Sequence, residues 1–304
     1  MKYSAIAAAA LAGFATAAPT VQKRKAAITD ADILNYALTL EHLEDKFYRE
    51  GLANYTHKDF LAAGFADPFY QNLMEVSVDE TTHVSFLTTA LTAAGATPVA
   101  ECNYSFPATD PKSFVALASV LEGVGVSAYL GAAADITAAD YLTAAGSILT
   151  VEARHSAYIR AALAEAPFAS PFDTPLDFDE VYTLAAPFIV SCPASNPALP
   201  VKAFPSLAVG TTGTISANTT ITLKTPGYVL QPANGVSQLY GAFITVTGPI
   251  FVPATAVDGG FSVVVPKGVA GQTYVVLTGC NEAVNDDTVA AGPAIVEVAS
   301  AAGA

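Results

Sequence analysis

The chain has 304 residues, room for about two domains, and carries 13 Lys and Arg against 27 Asp and Glu, a formal net charge of −14. That balance excludes a nucleic-acid backbone as partner, which needs a cationic face, and a 52% hydrophobic composition excludes wholesale disorder. Three cysteines exclude a disulfide-dense scaffold, and no uninterrupted internal run of 18 apolar residues marks a membrane span.

Residues 1–18 read as a secretory signal, with Lys2 before an apolar Ile6–Phe14 core and Ala15-Thr16-Ala17 at the cleavage site. Residues 19–24 end in Lys23-Arg24 and read as a propeptide. Secretion gives meaning to three sequons, which make Asn54, Asn103 and Asn218 glycosylation sites. It also permits a disulfide. Cys102 and Cys192 sit in Pro-rich connections flanking the helical region, and their pairing leaves Cys280 over.

Residues 28–192 carry four long helical patterns. The first opens at Thr29, with Asp32 three residues on, and ends near Gly51. The second opens at Asp67-Pro68 and the third at Asp110-Pro111, each an N-cap followed by a proline at the first helical position. The second ends near Gly95 and the third near Ala134. The fourth runs from Thr137 to about Pro167, and a shorter fifth covers Asp179 to Ile189. Short first and last connections with a longer middle crossover predict a ferritin-like four-helix bundle. Prolines 193, 197, 200 and 205 mark a linker over 193–205. Residues 206–304 alternate short β-branched runs with turn residues and predict a small antiparallel β-sandwich. Among about seven short runs are Thr214–Leu223, Tyr228–Gln231, Ala242–Val246, Phe261–Val265, Tyr274–Leu277 and Ala294–Val298.

Two Glu-x-x-His motifs stand out, Glu80–His83 and Glu152–His155. Residues three apart share a helix face, so each pair can present a carboxylate and an imidazole to one metal ion. Glu41 and Glu122 lie at matching depths in the other two helices, and in an antiparallel bundle mid-helix positions share one layer. Glu122 is embedded in an apolar run, Ala116–Leu121 and Gly123–Val126, where an unpaired carboxylate is costly. An internal echo reinforces the set: Glu41 and Glu122 each have a tyrosine seven residues on (Tyr48, Tyr129), and each histidine an aromatic three residues on (Phe86, Tyr158). The six residues predict a dinuclear carboxylate centre. Glu44 competes with Glu41 and is otherwise expected in solvent or behind the ligands. His42 faces elsewhere, His57 reads as a loop residue, Arg154 as a surface or supporting cation, and the three tyrosines as core packing.

Leu38–Glu44, Asp79–His83, Glu122–Gly125 and Val151–His155 resemble secreted fungal ferritin-like proteins of the stress-response or late-sexual-development type, which are similar to plant desiccation-related proteins. The resemblance covers about residues 28–205. It implies the ferritin-like fold and the six ligands. Hard carboxylates with two imidazoles suit two Fe or Mn ions, and a ferroxidase or catalase-like reaction with O2 or H2O2 is the expected chemistry. The alternatives are sequestration of iron without turnover, and a metal-free structural protein of the cell wall or spore surface whose β domain binds wall polymer.

Overall fold

A computed structural model describes residues 28–230 and 238–300. The signal and propeptide segments, with Lys23-Arg24, lie outside the described residues. The helices are α1 (Asp30–Asn54), α2 (His57–Ala63), α3 (Phe69–Ala93), α4 (Pro111–Ala132), α5 (Ala139–Ala162) and α6 (Phe178–Ala185). Strand β1 (Asn103–Tyr104) lies in the α3–α4 crossover and pairs with β2 (Ile189–Ser191). The Cys102–Cys192 disulfide fastens the same two segments, and Cys280 is free.

Local chemistry sets the helix starts. Thr29 and Asp32 form a reciprocal capping box at α1, and Asp110 with Ser113 does the same at α4. Two expected starts differ. Helix α3 begins at Phe69, because Asp67 turns away to pair with His57 at 2.6 Å instead of capping. Helix α5 begins at Ala139, and its start is held from outside: the Asp30 carboxylate accepts from Thr137 N (2.8 Å) and Ala138 N (3.0 Å). The sequence reading also missed α2, so His57 opens a short helix rather than lying in a loop.

The bundle consists of two hairpins, α1 with α3 and α4 with α5, joined by α1 packing on α4. Helices α1 and α4 are buried around most of their circumference. Helix α4 is apolar enough to cross a membrane by length and composition, and 67% of its most apolar window is buried inside the protein. Helices α3 and α5 each bury a single stripe. On α3 it is Leu73, Val76, Glu80, His83, Leu87 and Leu91; on α5 it is Ile148, Glu152, His155 and Ile159. Steps of three and four residues keep each stripe on one face. The Glu-x-x-His pairs therefore occupy the one part of each outer helix that faces inward.

Residues 193–205 carry no regular element and dock on α6, where Lys202 N donates to Asp179 and Phe204 N to Thr183. The antiparallel β domain follows: β3 (Ala208–Val209), β4 (Thr220–Lys224), β5 (Leu239–Phe243), β6 (Ile250–Val257), β7 (Gly260–Val264), β8 (Gly271–Thr278) and β9 (Val289–Val298). Its order is β3-β4-β7-β6-β5-β8-β9. The sheet curls around the Ile221, Leu223, Phe243, Val263, Val275 and Val296 core until its ends meet, with Ile215 bridged to Val298.

Three strand expectations change. The run from Thr214 becomes a strand only at Thr220, because Ser216–Thr219 is a turn with Asn218 at φ 70°. Tyr228 closes a turn from Thr225 instead of opening a strand. Strand β6 lies outside the runs named from the sequence, and it contains Pro253. Pro253 sits where β6 pairs with β5 alone, before the Thr255–Val257 segment that pairs with β7 instead.

The β domain is bolted to the bundle. Tyr274 of β8 belongs to the bundle core and donates to Gly123 O at 2.9 Å, while Gln272 donates to Val120 O at 3.1 Å. A Cβ at Gly123 would lie 2.5 Å from the Gln272 side chain, so glycine allows this approach. Buried Arg160 grips Glu297 of β9 with two bonds of 2.9 and 2.7 Å.

Candidate metal centre

Glu41 from α1, Glu80 and His83 from α3, Glu122 from α4, and Glu152 and His155 from α5 converge at mid-bundle. All four carboxylates are 0% exposed and the two imidazoles are buried. Their ligating atoms fall into two overlapping clusters, Glu41–Glu80–His83–Glu152 and Glu80–Glu122–Glu152–His155. In the first, His83 Nδ1 lies 3.2 Å from Glu41 Oε2, 3.4 Å from Glu80 Oε2 and 3.3 Å from Glu152 Oε1. In the second, His155 Nδ1 lies 3.1 Å from Glu80 Oε1, 3.3 Å from Glu122 Oε2 and 4.0 Å from Glu152 Oε2. Glu80 and Glu152 thus give one oxygen to each cluster.

The outer oxygens are held from behind. Tyr48 of α1 donates to Glu122 Oε1 on α4, and Tyr129 of α4 donates to Glu41 Oε1 on α1. The seven-residue echo has this meaning: each tyrosine serves the other hairpin's glutamate. Sequence reading took both for core packing; they are core residues whose hydroxyls orient carboxylates. It also passed over Asp79, whose carboxylate lies 3.1 Å from His155 Nε2. That contact leaves Nδ1 free to face the cluster, a usual arrangement behind a ligating imidazole. Its position just before Glu80 was the available signal.

Electrostatics are those of crowded acids in an apolar layer. Burial, opposed by His83, raises the Glu41 carboxyl to about 7. Burial and the Glu80 charge push Glu152 well above the usual range. Burial disfavours charged imidazoles, but Glu152, Glu41 and Glu80 outweigh it and lift His83 to about 12; Glu122 and Glu80 lift His155 to about 11. For Glu80 the two imidazoles overcome burial and lower the pKa. Burial first, then the Glu122 charge, keeps the Tyr48 hydroxyl a donor.

Glu44 is not in solvent. It is 4% exposed, and burial followed by the charges of Glu152, Glu80, Glu122 and Glu41 pushes its carboxyl well above the usual range. His42 lies apart, with Nε2 3.2 Å from Val99 O. Arg154 is exposed, and Tyr158 stacks on Phe69 and accepts from Asn72. Phe86, its echo in sequence, is 45% exposed. Asn54, Asn103 and Asn218 are all exposed, at the end of α1, in β1 and in the turn before β4.

These residues fit cations. Glu41 Oε2, both oxygens of Glu80 and Glu152, Glu122 Oε2 and both Nδ1 atoms are buried without a hydrogen-bond partner. Buried polar atoms ordinarily find partners. Here they point at one another at contact distance without pairing. Donors about 2.1 Å from one ion stand about 3.0 Å apart in octahedral and about 3.4 Å apart in tetrahedral coordination. All but one of the imidazole–carboxylate distances lie between 3.1 and 3.4 Å.

The chain is 28% identical over 235 residues to Protein rds1 of Schizosaccharomyces pombe (strain 972 / ATCC 24843), covering 75% of this chain and 55% of that one. It therefore spans about half the length of this curated relative. A solved structure, the conserved hypothetical protein rv2844 of Mycobacterium tuberculosis, aligns with a TM-score of 0.36 at 21% identity, over 47% of this chain and 96% of that one. The helices that build the centre fall wholly within residues 29–165, and this segment matches the family described as "Ferritin-like domain".

Proposed function

We propose that the centre holds two Fe or Mn ions, one per cluster, and that the protein is an oxidoreductase of the ferroxidase or catalase-like kind acting on O2 or H2O2. One observation carries the reading: Glu80 and Glu152 each divide their two oxygens between the clusters, as carboxylates shared by two cations do. Two adjacent ions of variable valence supply two electrons at one place, which suits cleavage or formation of an O–O bond. Glu41 with His83 would hold one ion, and Glu122 with His155 the other. Tyr48 and Tyr129 fix the outer carboxylates, and Asp79 fixes the His155 ring. The apolar layer keeps bulk water away from the site.

We further propose that the chain is secreted and glycosylated at Asn54, Asn103 and Asn218, serving oxidative or developmental stress protection outside the cell. Mass spectrometry of the native protein checks this; an intact Met1 without glycan refutes it. For the β domain, wall polymer is the proposed partner, with an open cleft of about 710 Å³ between α5 and β8 as its place.

The deciding experiment is elemental analysis of protein from its native source, paired with melting curves. About two Fe or Mn per chain and a rise in Tm with added metal are expected. A ligand at 100 times its Kd adds about 2.7 kcal/mol. No metal and no shift make the centre a relic and leave the structural wall-protein reading.

A further inference from the structure

The two hairpins repeat one design, and the repeat breaks beside the centre. Three residues after Glu41 comes Glu44; three residues after Glu122 comes Gly125. The two positions face each other. A Cβ on Gly125 would lie 3.1 Å from Glu44 Oε1 and 3.5 Å from Glu152 Oε2. The missing side chain on α4 therefore makes the room that the extra carboxyl on α1 occupies.

Glu44 also lines a cavity of about 110 Å³. Its other walls are apolar: Leu40 and Leu43 of α1, Val120 and Val124 of α4, Leu184 at the end of α6, and Ile295 of β9. A buried carboxyl ordinarily has a partner. Glu44 makes none of the hydrogen bonds found among the described residues, and it lies outside both metal clusters. A largely aliphatic cavity of this order takes small guests, and about 10–15 Å³ of such space already holds one water. The space fits a molecule of two heavy atoms with margin, and one carboxyl in an apolar wall offers it one hydrogen bond.

Resting on the two-ion reading above, we infer that this cavity is the binding chamber for an O–O molecule, dioxygen or hydrogen peroxide, and that Glu44 is the residue that meets it there rather than a seventh ligand. The β domain and α6 then have a direct part in the site, since they close the chamber.

The test uses the whole chain. Xenon under pressure, followed by 129Xe NMR or in crystals, should occupy the wild-type cavity and be excluded by Ala185→Phe, which fills it from α6. With Fe(II) loaded, oxidation is followed against H2O2 and against O2; each peroxide takes one electron from each of two Fe(II) and two protons, giving two waters. Ala185→Phe should raise the apparent KM for the oxidant at least tenfold with iron content unchanged. Glu44→Gln, which keeps shape and should fold even where Ala185→Phe does not, should leave iron at two per chain. A tenfold KM rise for peroxide alone assigns peroxide, and a rise for both assigns dioxygen as well. Unchanged KM for both, or iron content falling in Glu44→Gln, overturns the inference. A chain that binds iron but no xenon refutes the chamber alone; one that binds xenon but no iron refutes the centre, and the oxidant assignment with it.

Discussion

On the proposed two-ion reading Asp79 makes the two clusters unequal, and that inequality can be measured. Its carboxylate supports His155 from 3.1 Å. The equivalent residue in the other hairpin, one before Glu152, is Val151, which cannot accept a hydrogen bond. Removing a carboxylate behind a metal-bound histidine costs about 10–100-fold in affinity. The Asp79 side chain is 50% exposed, so water replaces part of what it supplies, and the lower end applies. Asp79→Ala should therefore weaken one ion by about tenfold, or ~1.4 kcal/mol, and leave the other at wild-type affinity. Calorimetric titration with Mn(II), with bound metal counted after dialysis, separates the two classes. Equal weakening of both ions would refute the reasoning, because Asp79 touches only one imidazole. No change in either would show that His155 needs no such support.

The remaining predictions concern protons, tyrosines and the domain junction. Metal needs deprotonated donors, whereas the bare centre holds protons on His83, His155 and Glu41. Raised pKa values make the bare fold less stable as pH climbs from 4.5 toward about 7 for Glu41, and from 6.5 toward about 12 and 11 for the two histidines. Metal affinity rises over the same range, so the Tm gain from Mn(II) should be larger at pH 8 than at pH 5.5; a constant gain counts against the site. Tyr48→Phe and Tyr129→Phe each strip the donor from a buried carboxylate oxygen and should cost about 1–3 kcal/mol in chemical denaturation of the metal-free chain. Glu297→Gln should loosen the β domain from α5 and cost about 1–2 kcal/mol, less than a fully buried pair, because Glu297 is 42% exposed and Glu165 still lies 3.3 Å from Arg160.

The six candidate ligands were legible because their signal is periodic and local. Glu-x-x-His is one helical turn, and mid-helix depth is arithmetic along the chain. The four long helices were legible for the same reason, since caps and apolar spacing are written within a few residues. What escaped depended on distant partners. Asp79 and the tyrosine hydroxyls act on residues 74 to 88 positions away. From sequence Glu44 reads as either solvated or behind the ligands, because nothing in its own helix shows that α6 and β9 cover that face. The β strands were placed less well because a strand's neighbours, not its residues, decide whether a proline such as Pro253 is tolerated.

The departures from the repeat carry the functional content. Each hairpin supplies the same three ligands and one tyrosine, and the tyrosines cross over, so neither hairpin completes a cluster alone. A centre built only for stability would gain nothing from breaking that equivalence. Two of the breaks within one turn of the ligands bear directly on the centre. Asp79 stands where the other hairpin has Val151, and it touches His155 at one end of the centre. Glu44 faces Gly125 and opens the opposite side toward a cavity. The differences fall on separate faces of the bundle: Asp79 on the side of α3 and α5, where its side chain reaches solvent, and Glu44 on the side lined by α6 and the β domain. Ions and oxidant therefore need not share a route. The α3–α5 side offers the cation a carboxylate at the surface, and the cavity side offers a small neutral molecule a largely apolar wall. Blocking the cavity should then slow oxidation while metal uptake proceeds at its normal rate. A variant in which Ala185→Phe slows uptake and oxidation by the same factor would show instead that one opening serves both.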